Sequence, residues 1–146
     1  MTDINVSNLG GRAASPWARL LAPVTMMAAI FWFSAQPYDG HEMTWWEVAG
    51  RNLGHFGGYA FLAALWAWAL PGPLRNLLVA AALLALAYAA ADEYHQTFVE
   101  GRTGTWEDVV LDALGIAAAS VAIGVKAAKI KRGRPTTPPR ADLQAP

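Results

Sequence analysis

Cysteine is absent from this 146-residue chain, which excludes disulfides and thiolate metal ligands, so any metal site must draw on His, Asp and Glu. Charge is scarce as well. Only 15% of residues are charged against 55% hydrophobic, and the mean hydropathy is +0.25, values that point to one small membrane protein. No H-E-x-x-H or comparable spacing specifies a metal, so metal and cofactor stay unknown at this level. The short basic tail has no aromatic residues, and nucleic acid is therefore not an expected partner.

What the chain has in quantity is apolar sequence, in four segments at about 17–35, 53–70, 74–91 and 109–125. At about 1.5 Å per residue, roughly 18 residues reach about 27 Å, near the hydrocarbon thickness of a bilayer. Phe33 and Ala35 make a poor small-x-small cleavage site, so the first segment is expected to stay as a span, with Arg19 snorkelling at its start. Arg12, Arg19, Arg75, Lys126, Lys129, Lys131, Arg132, Arg134 and Arg140 fall on one side, and only Arg51 and Arg102 on the other. Nine of the eleven acids lie in or beside the connections on that second side. The positive-inside rule then places both termini in the cytoplasm, the protein in the cytoplasmic (inner) membrane and the acidic connections outside.

Pro71-Gly72-Pro73 allows only a tight connection, so the second and third segments are expected to be packed, antiparallel neighbours. The fold class is accordingly an all-α polytopic membrane protein, four transmembrane helices in an antiparallel bundle. Residues 1–16 read as a cytoplasmic arm, 17–125 as the membrane domain and 126–146 as a basic, disordered cytoplasmic tail attracted to anionic lipid. The seven tryptophans fall toward the segment ends as in an aromatic belt, and Pro23 stands where it could kink the first helix.

Polar residues recur at helical spacing. Gly50, Gly54 and Gly58 form a line that a neighbouring helix could approach closely, either within the chain or in a homo-oligomer, and Arg51, His55 and Tyr59 follow one residue behind. The third segment ends in Asp92-Glu93-Tyr94-His95-Gln96, where Asp92 shares a face with His95 and Gln96. A carboxylate that fixes an imidazole tautomer would make His95 a candidate general base or metal ligand. In the loop that follows, Gly101 and Gly104 permit close backbone approach, and Arg102 would pair with the acids or bind an anion. Thr105 and Asp108 read as a capping box for the fourth helix. Asp112 lies more than a turn inside that helix, where an unpaired charge costs on the order of 3 kcal/mol, so Arg51, His55 or Arg102 is its expected partner. His55, Asp92, Glu93, His95, Asp108 and Asp112 together offer donor types suited to zinc or manganese.

Four of these pieces in register resemble the VanZ-like family over about residues 30–120: Ser34-Ala35-Gln36-Pro37, Arg51 with His55-Phe56 and Tyr59, Asp92-Glu93-x-His95-Gln96, and Gly101-Arg102 leading to Asp108, Asp112 and Gly115. The resemblance implies a small integral membrane protein of the cell envelope, of a kind some members of which are linked to low-level resistance to the glycopeptide teicoplanin. Asn52, Glu100 and Asp112 depart from that pattern, and the last two add acid to the outer face. The favoured reading is a binding protein whose ligand set is Ser34, Gln36, Arg51, His55, Tyr59, Glu93, Gln96, Arg102, Asp108 and Asp112, with membrane lipid and a lipid-linked or wall-related precursor as partners. A membrane-embedded hydrolase or transferase is the alternative, with His95 as base and Asp92 as its orienting carboxylate. A structural or partner-binding subunit, its polar residues fixing helix register, is the third.

Overall fold

A computed structural model describes residues 15–133 and consists there of four helices: α1 (Pro16–Ser34), α2 (Trp45–Ala69), α3 (Leu74–Gln96) and α4 (Trp106–Arg132). Local chemistry explains their ends. The Ser15 hydroxyl accepts from Ala18 N at the start of α1, and the Thr105 hydroxyl accepts from Asp108 N at the start of α4, each satisfying a backbone donor that has no partner within its helix. α2 stops before Pro71-Gly72-Pro73, where the two prolines offer no amide donors and Gly72 takes a φ of 130°. The α1 end meets the α3 end, and the α2 start meets the α4 start, so the helices run alternately up and down.

Three helices, over Trp17–Ser34, Leu74–Gln96 and Trp106–Arg132, are long and apolar enough to cross a membrane. α2 is not among them, which corrects the expectation of four such spans from composition. Its first half carries Arg51, Asn52 and His55 together with Gly50, Gly54, Gly57 and Gly58, none of which adds much hydrophobicity. Yet α2 is the central helix. Tyr59, Leu62 and Ala63 are buried against Ala85 and Ala89 of α3 and Ile116 of α4, and Ala67 joins Leu77 and Ala81 in a second cluster. The alanines at 81, 85 and 89 line one face of α3 at four-residue spacing, a smooth seam that lets α2 lie close.

The most extensive helix contact is α2 with α4 rather than α2 with α3. Gly115 accounts for it: a Cβ there would stand 2.1 Å from the Phe56 carbonyl oxygen, so only a glycine admits the α2 backbone at that point. The expected groove at Gly50, Gly54 and Gly58 is not used this way. Nothing lies near a Cβ built at Gly50 or Gly54, and Gly58 meets only the tip of Met26.

Two further expectations change. Trp17, Trp32, Trp45, Trp46, Trp68 and Trp106 are exposed as a belt requires, but Trp66 packs against both core clusters. Arg19 lies over the Trp68 ring, 5.8 Å from its centroid, a cation–π contact that links the start of α1 to the end of α2. The basic segment does not begin as disordered chain at residue 126. α4 continues to Arg132, with Lys129, Lys131 and Arg132 in its last turn where they complement the helix dipole. The remaining expectations for residues 1–14 and 134–146 lie outside the described residues.

Candidate functional site

The alanine seam of α3 continues into polar residues. One further turn along the same face stand Asp92, Glu93 and Gln96, all buried, so the helix that packs the core also delivers two carboxylates and an amide to the bundle's end. Ser34, the last residue of α1, donates from its hydroxyl to Asp92 Oδ1 at 2.6 Å. Gln96 Nε2 donates to Asp92 Oδ2 at 3.2 Å and to Glu93 Oε1 at 3.0 Å, which orients the amide so that its Oε1 accepts from Arg102 Nη1 at 3.3 Å.

Among the described residues, Arg102 pairs with no acid. Its other donors go to the backbone carbonyls of Gln36, from Nε at 2.8 Å, and Phe33, from Nη2 at 3.1 Å. The guanidinium thus closes the end of α1: it adds a donor to the Phe33 carbonyl, which also accepts from Gln36 N at 3.4 Å, and ties down the Gln36 carbonyl just beyond the helix. Gln36 enters the cluster only through that carbonyl, because its side chain turns back to donate to Trp32 O. The loop can lie this close because of its glycines. A Cβ at Gly101, where φ is 73°, would stand 1.7 Å from Tyr38 O, and one at Gly104 would stand 2.0 Å from Glu93 O. Thr105 N then donates to Glu93 Oε2 at 2.9 Å. In a capping box the acid three residues on would take that amide; here α3 supplies it, and Asp108 is left to face α2.

On the α2 and α4 side, the close approach at Gly115 sets the register. Asp112 and Asp108, one and two turns earlier, come opposite His55 and Arg51. His55 Nδ1 is 3.0 Å from Asp112 Oδ1 and 3.9 Å from Glu93 Oε1, and Arg51 Nη2 is 3.5 Å from Asp108 Oδ1. The Asp112 side chain is wholly buried, so the expected partner is found in His55. Asp112 Oδ2 and the Tyr59 hydroxyl are nevertheless buried with no hydrogen-bond partner among the described residues.

His95 stands apart. Its ring stacks on Phe31 with centroids 4.5 Å apart and forms no hydrogen bond to Asp92, whose oxygens are taken by Ser34 and Gln96. The carboxylate–imidazole pair expected from helical spacing is therefore not assembled. Of the twelve candidates, Ser34, Asp92, Glu93, Gln96 and Arg102 form one bonded group; His55, Asp112 and Glu93 a second; Arg51 and Asp108 a third, with Tyr59 buried one turn from His55.

A VanZ/LLP1 family model matches residues 17–126. The chain belongs to the VanZ/LLP1 family. No curated protein and no solved structure matches it. The VanZ/LLP1 match takes in nearly all of the four helices and every residue of the polar cluster, so the cluster lies within the family's domain and not in an appended loop.

One group was missed by the sequence reading. In the connection between α1 and α2 of this VanZ/LLP1 protein, His41 binds Asp39 through Nδ1 and lies 3.3 Å from Glu47 through Nε2. The hydrogen bond to Asp39, followed by that to Glu47, holds the His41 imidazole above its ordinary pKa, and the same bond to His41 holds Asp39 below the usual carboxylate range. A raised His pKa stabilises the fold fully below the unfolded value of about 6.5 and ceases to do so as pH rises through the folded value. A depressed Asp pKa stabilises above about 3.9 and its contribution is lost on acidification. The connection is therefore expected to be tightest at mildly acidic pH. Amide exchange over residues 38–47 should quicken from about pH 6 to about pH 9 beyond its intrinsic pH dependence, and His41→Gln should remove that excess. Added salt should shrink the effect, because the group faces water.

Proposed function

We propose that this VanZ/LLP1 protein is a four-span protein of the cytoplasmic membrane that binds a lipid-linked or wall-related envelope ligand at its outer polar cluster. In this reading both termini are cytoplasmic and residues 17–125 form the membrane domain, flanked by the 1–16 arm and the 126–146 tail. α2 crosses beside the other three: 25 residues reach about 37 Å, and on its polar line His55 is turned to Asp112 of α4. The exposed glycine line at Gly50 and Gly54 is open to a second copy of the chain.

Arg51 carries the ligand reading. Its side chain is 43% exposed and its contact with Asp108 is long at 3.5 Å, so an anionic head group would find a cation at the mouth of the cluster. Farther along the bundle, a groove of about 400 Å³ between α3 and α4 is lined chiefly by Ala82, Leu83, Leu86, Ala113, Ile116 and Ala117, and begins at the residue next to Asp112. An acyl chain suits such a groove, with the head group above. The envelope role carries a phenotype: expression in a glycopeptide-susceptible host should change teicoplanin susceptibility, and Arg51→Gln should weaken that change.

Native mass spectrometry of protein released from nanodiscs made with a bacterial lipid extract tests the binding. Wild type should retain a defined anionic lipid or wall intermediate. Arg51→Gln should retain it about tenfold less, the cost of one charge-assisted contact. Equal retention by both proteins would refute the assignment.

A further inference from the structure

The geometry points to a divalent metal site built by His55, Glu93 and Asp112, taking a borderline transition-metal ion such as Zn²⁺. These residues come from three helices, and one donor atom of each lies within 4.8 Å of the other two. The two separations from His55 Nδ1, 3.0 Å to Asp112 Oδ1 and 3.9 Å to Glu93 Oε1, bracket the roughly 3.3 Å that ligands at about 2.0–2.1 Å impose on a tetrahedral ion. One imidazole and two carboxylates form a nitrogen and oxygen donor set without sulfur, which suits Zn²⁺ or Mn²⁺.

Proximity of acids alone would not carry this. The independent observation is an unsatisfied atom at the site: Asp112 has a side chain with no exposure, and its Oδ2, unlike the Oδ1 that meets His55, has no hydrogen-bond partner among the described residues. Tyr59, 2% exposed and one turn from His55, likewise has a buried, unpartnered hydroxyl. Buried polar atoms seldom go unpaired without a ligand or ion to meet them.

Hydrogen bonds that would orient a ligating carboxylate are also in place. Glu93 Oε2 accepts from Thr105 N, and Gln96 Nε2 donates to Oε1, so the Glu93 carboxylate is oriented from two sides. A metal there would reconcile an acid-rich cluster with an anionic ligand, since the ion offers phosphate a positive partner; to that extent the inference rests on the lipid reading, though the metal is measured without it.

The test uses the full chain without a polyhistidine tag, in nanodiscs of zwitterionic lipid, stripped with chelator and titrated with Zn²⁺ against a chromophoric competitor. Wild type should bind about one ion per chain and unfold at higher temperature when loaded. His55→Gln, Glu93→Gln and Asp112→Asn should each bind more than about 100-fold more weakly, beyond the 10–100-fold typical of outer-shell changes. A His41→Gln, His95→Gln double variant leaves His55 as the sole histidine. Loaded with Co²⁺, it should give imidazole nitrogen couplings in pulsed EPR, a readout that survives even where the single variants fail to fold. No ion retained by wild type, ligand variants that bind as wild type does, or no nitrogen coupling would each overturn the assignment. Lipid retention is scored in separate samples, so a metal without a lipid would sink the lipid reading alone, and a lipid without a metal this one alone.

Discussion

Gly115→Val should separate α2 from α4 and cost about 3 kcal/mol or more, the upper end of what overpacking does, because the obstacle is a backbone carbonyl that cannot rotate away. The first added carbon would already stand 2.1 Å from Phe56 O. To relieve it one helix must move, and the register that sets Asp112 against His55 and Asp108 against Arg51 goes with it. Equilibrium unfolding of the protein in mixed micelles measures the loss. The matched control is Gly54→Ala, where a Cβ meets nothing within 4 Å; removing a glycine from a helix there should leave stability unchanged or raise it by about 0.5–1 kcal/mol. Equal losses in the two variants would mean that the glycine line of α2, rather than Gly115, carries the helix contact.

Asp92→Ala should release the end of α1. The substitution takes Asp92 from the Ser34 hydroxyl, which is left with the Phe31 carbonyl of its own helix at 3.1 Å, and strands one amide proton of Gln96 in a buried site. Hydrogen bonds between membrane helices are worth less than burial alone suggests, about 0.6 kcal/mol on average and up to about 1.7. Two of them, with the Gln96 donor left unpaired, put the loss on the order of 2 kcal/mol. Asp92→Asn, which retains an acceptor for Ser34, should lose about half as much. Since the chain has no cysteine, single cysteines at exposed Trp32 and Tyr94 can carry spin labels without further editing. The Asp92→Ala variant should broaden their distance distribution. An unchanged distribution would show that α1 is held by its apolar contacts and by Arg102 alone.

Much of this was legible in the sequence because helical spacing is local. Arg51, His55 and Tyr59 at four-residue intervals, and Asp108, Asp112 and Gly115 at four and three, had to form lines on their helices, and the structure sets the two lines against each other. Composition was a poorer guide to length. A search for apolar residues starts α2 near residue 53 and ends α4 at 125, whereas the helices begin at Trp45 and finish at Arg132; polar residues that the bundle or the dipole accommodates extend both.

Choices made across the bundle were not legible. Asp92 had Gln96 and His95 both within reach on its own helix, and only the arrival of Ser34 from α1 decides how its oxygens are used. Glycines at 50, 54 and 58 offered the more regular line, yet contact falls on the single Gly115, because the facing helix must bring a backbone and not merely meet a groove. Arg102 looked like an anion receptor because side-chain spacing carries no record of carbonyl groups, and carbonyls are what it binds.

The clasp between Ser34 and Asp92 joins positions 58 residues apart, and Arg102 reaches back still farther to Phe33. During synthesis α1 leaves the ribosome before α2, α3 and α4, and at that point neither Asp92 nor Arg102 has been made. It must wait in the bilayer on its own apolar surface, which its largely unburied span allows, until α3 and the loop beyond it arrive. The end of α1 is thus fastened only after α3 and the loop beyond it are made, and a chain halted before Asp92 would leave α1 to its contacts with α2, such as Arg19 over Trp68, without the clasp at Ser34.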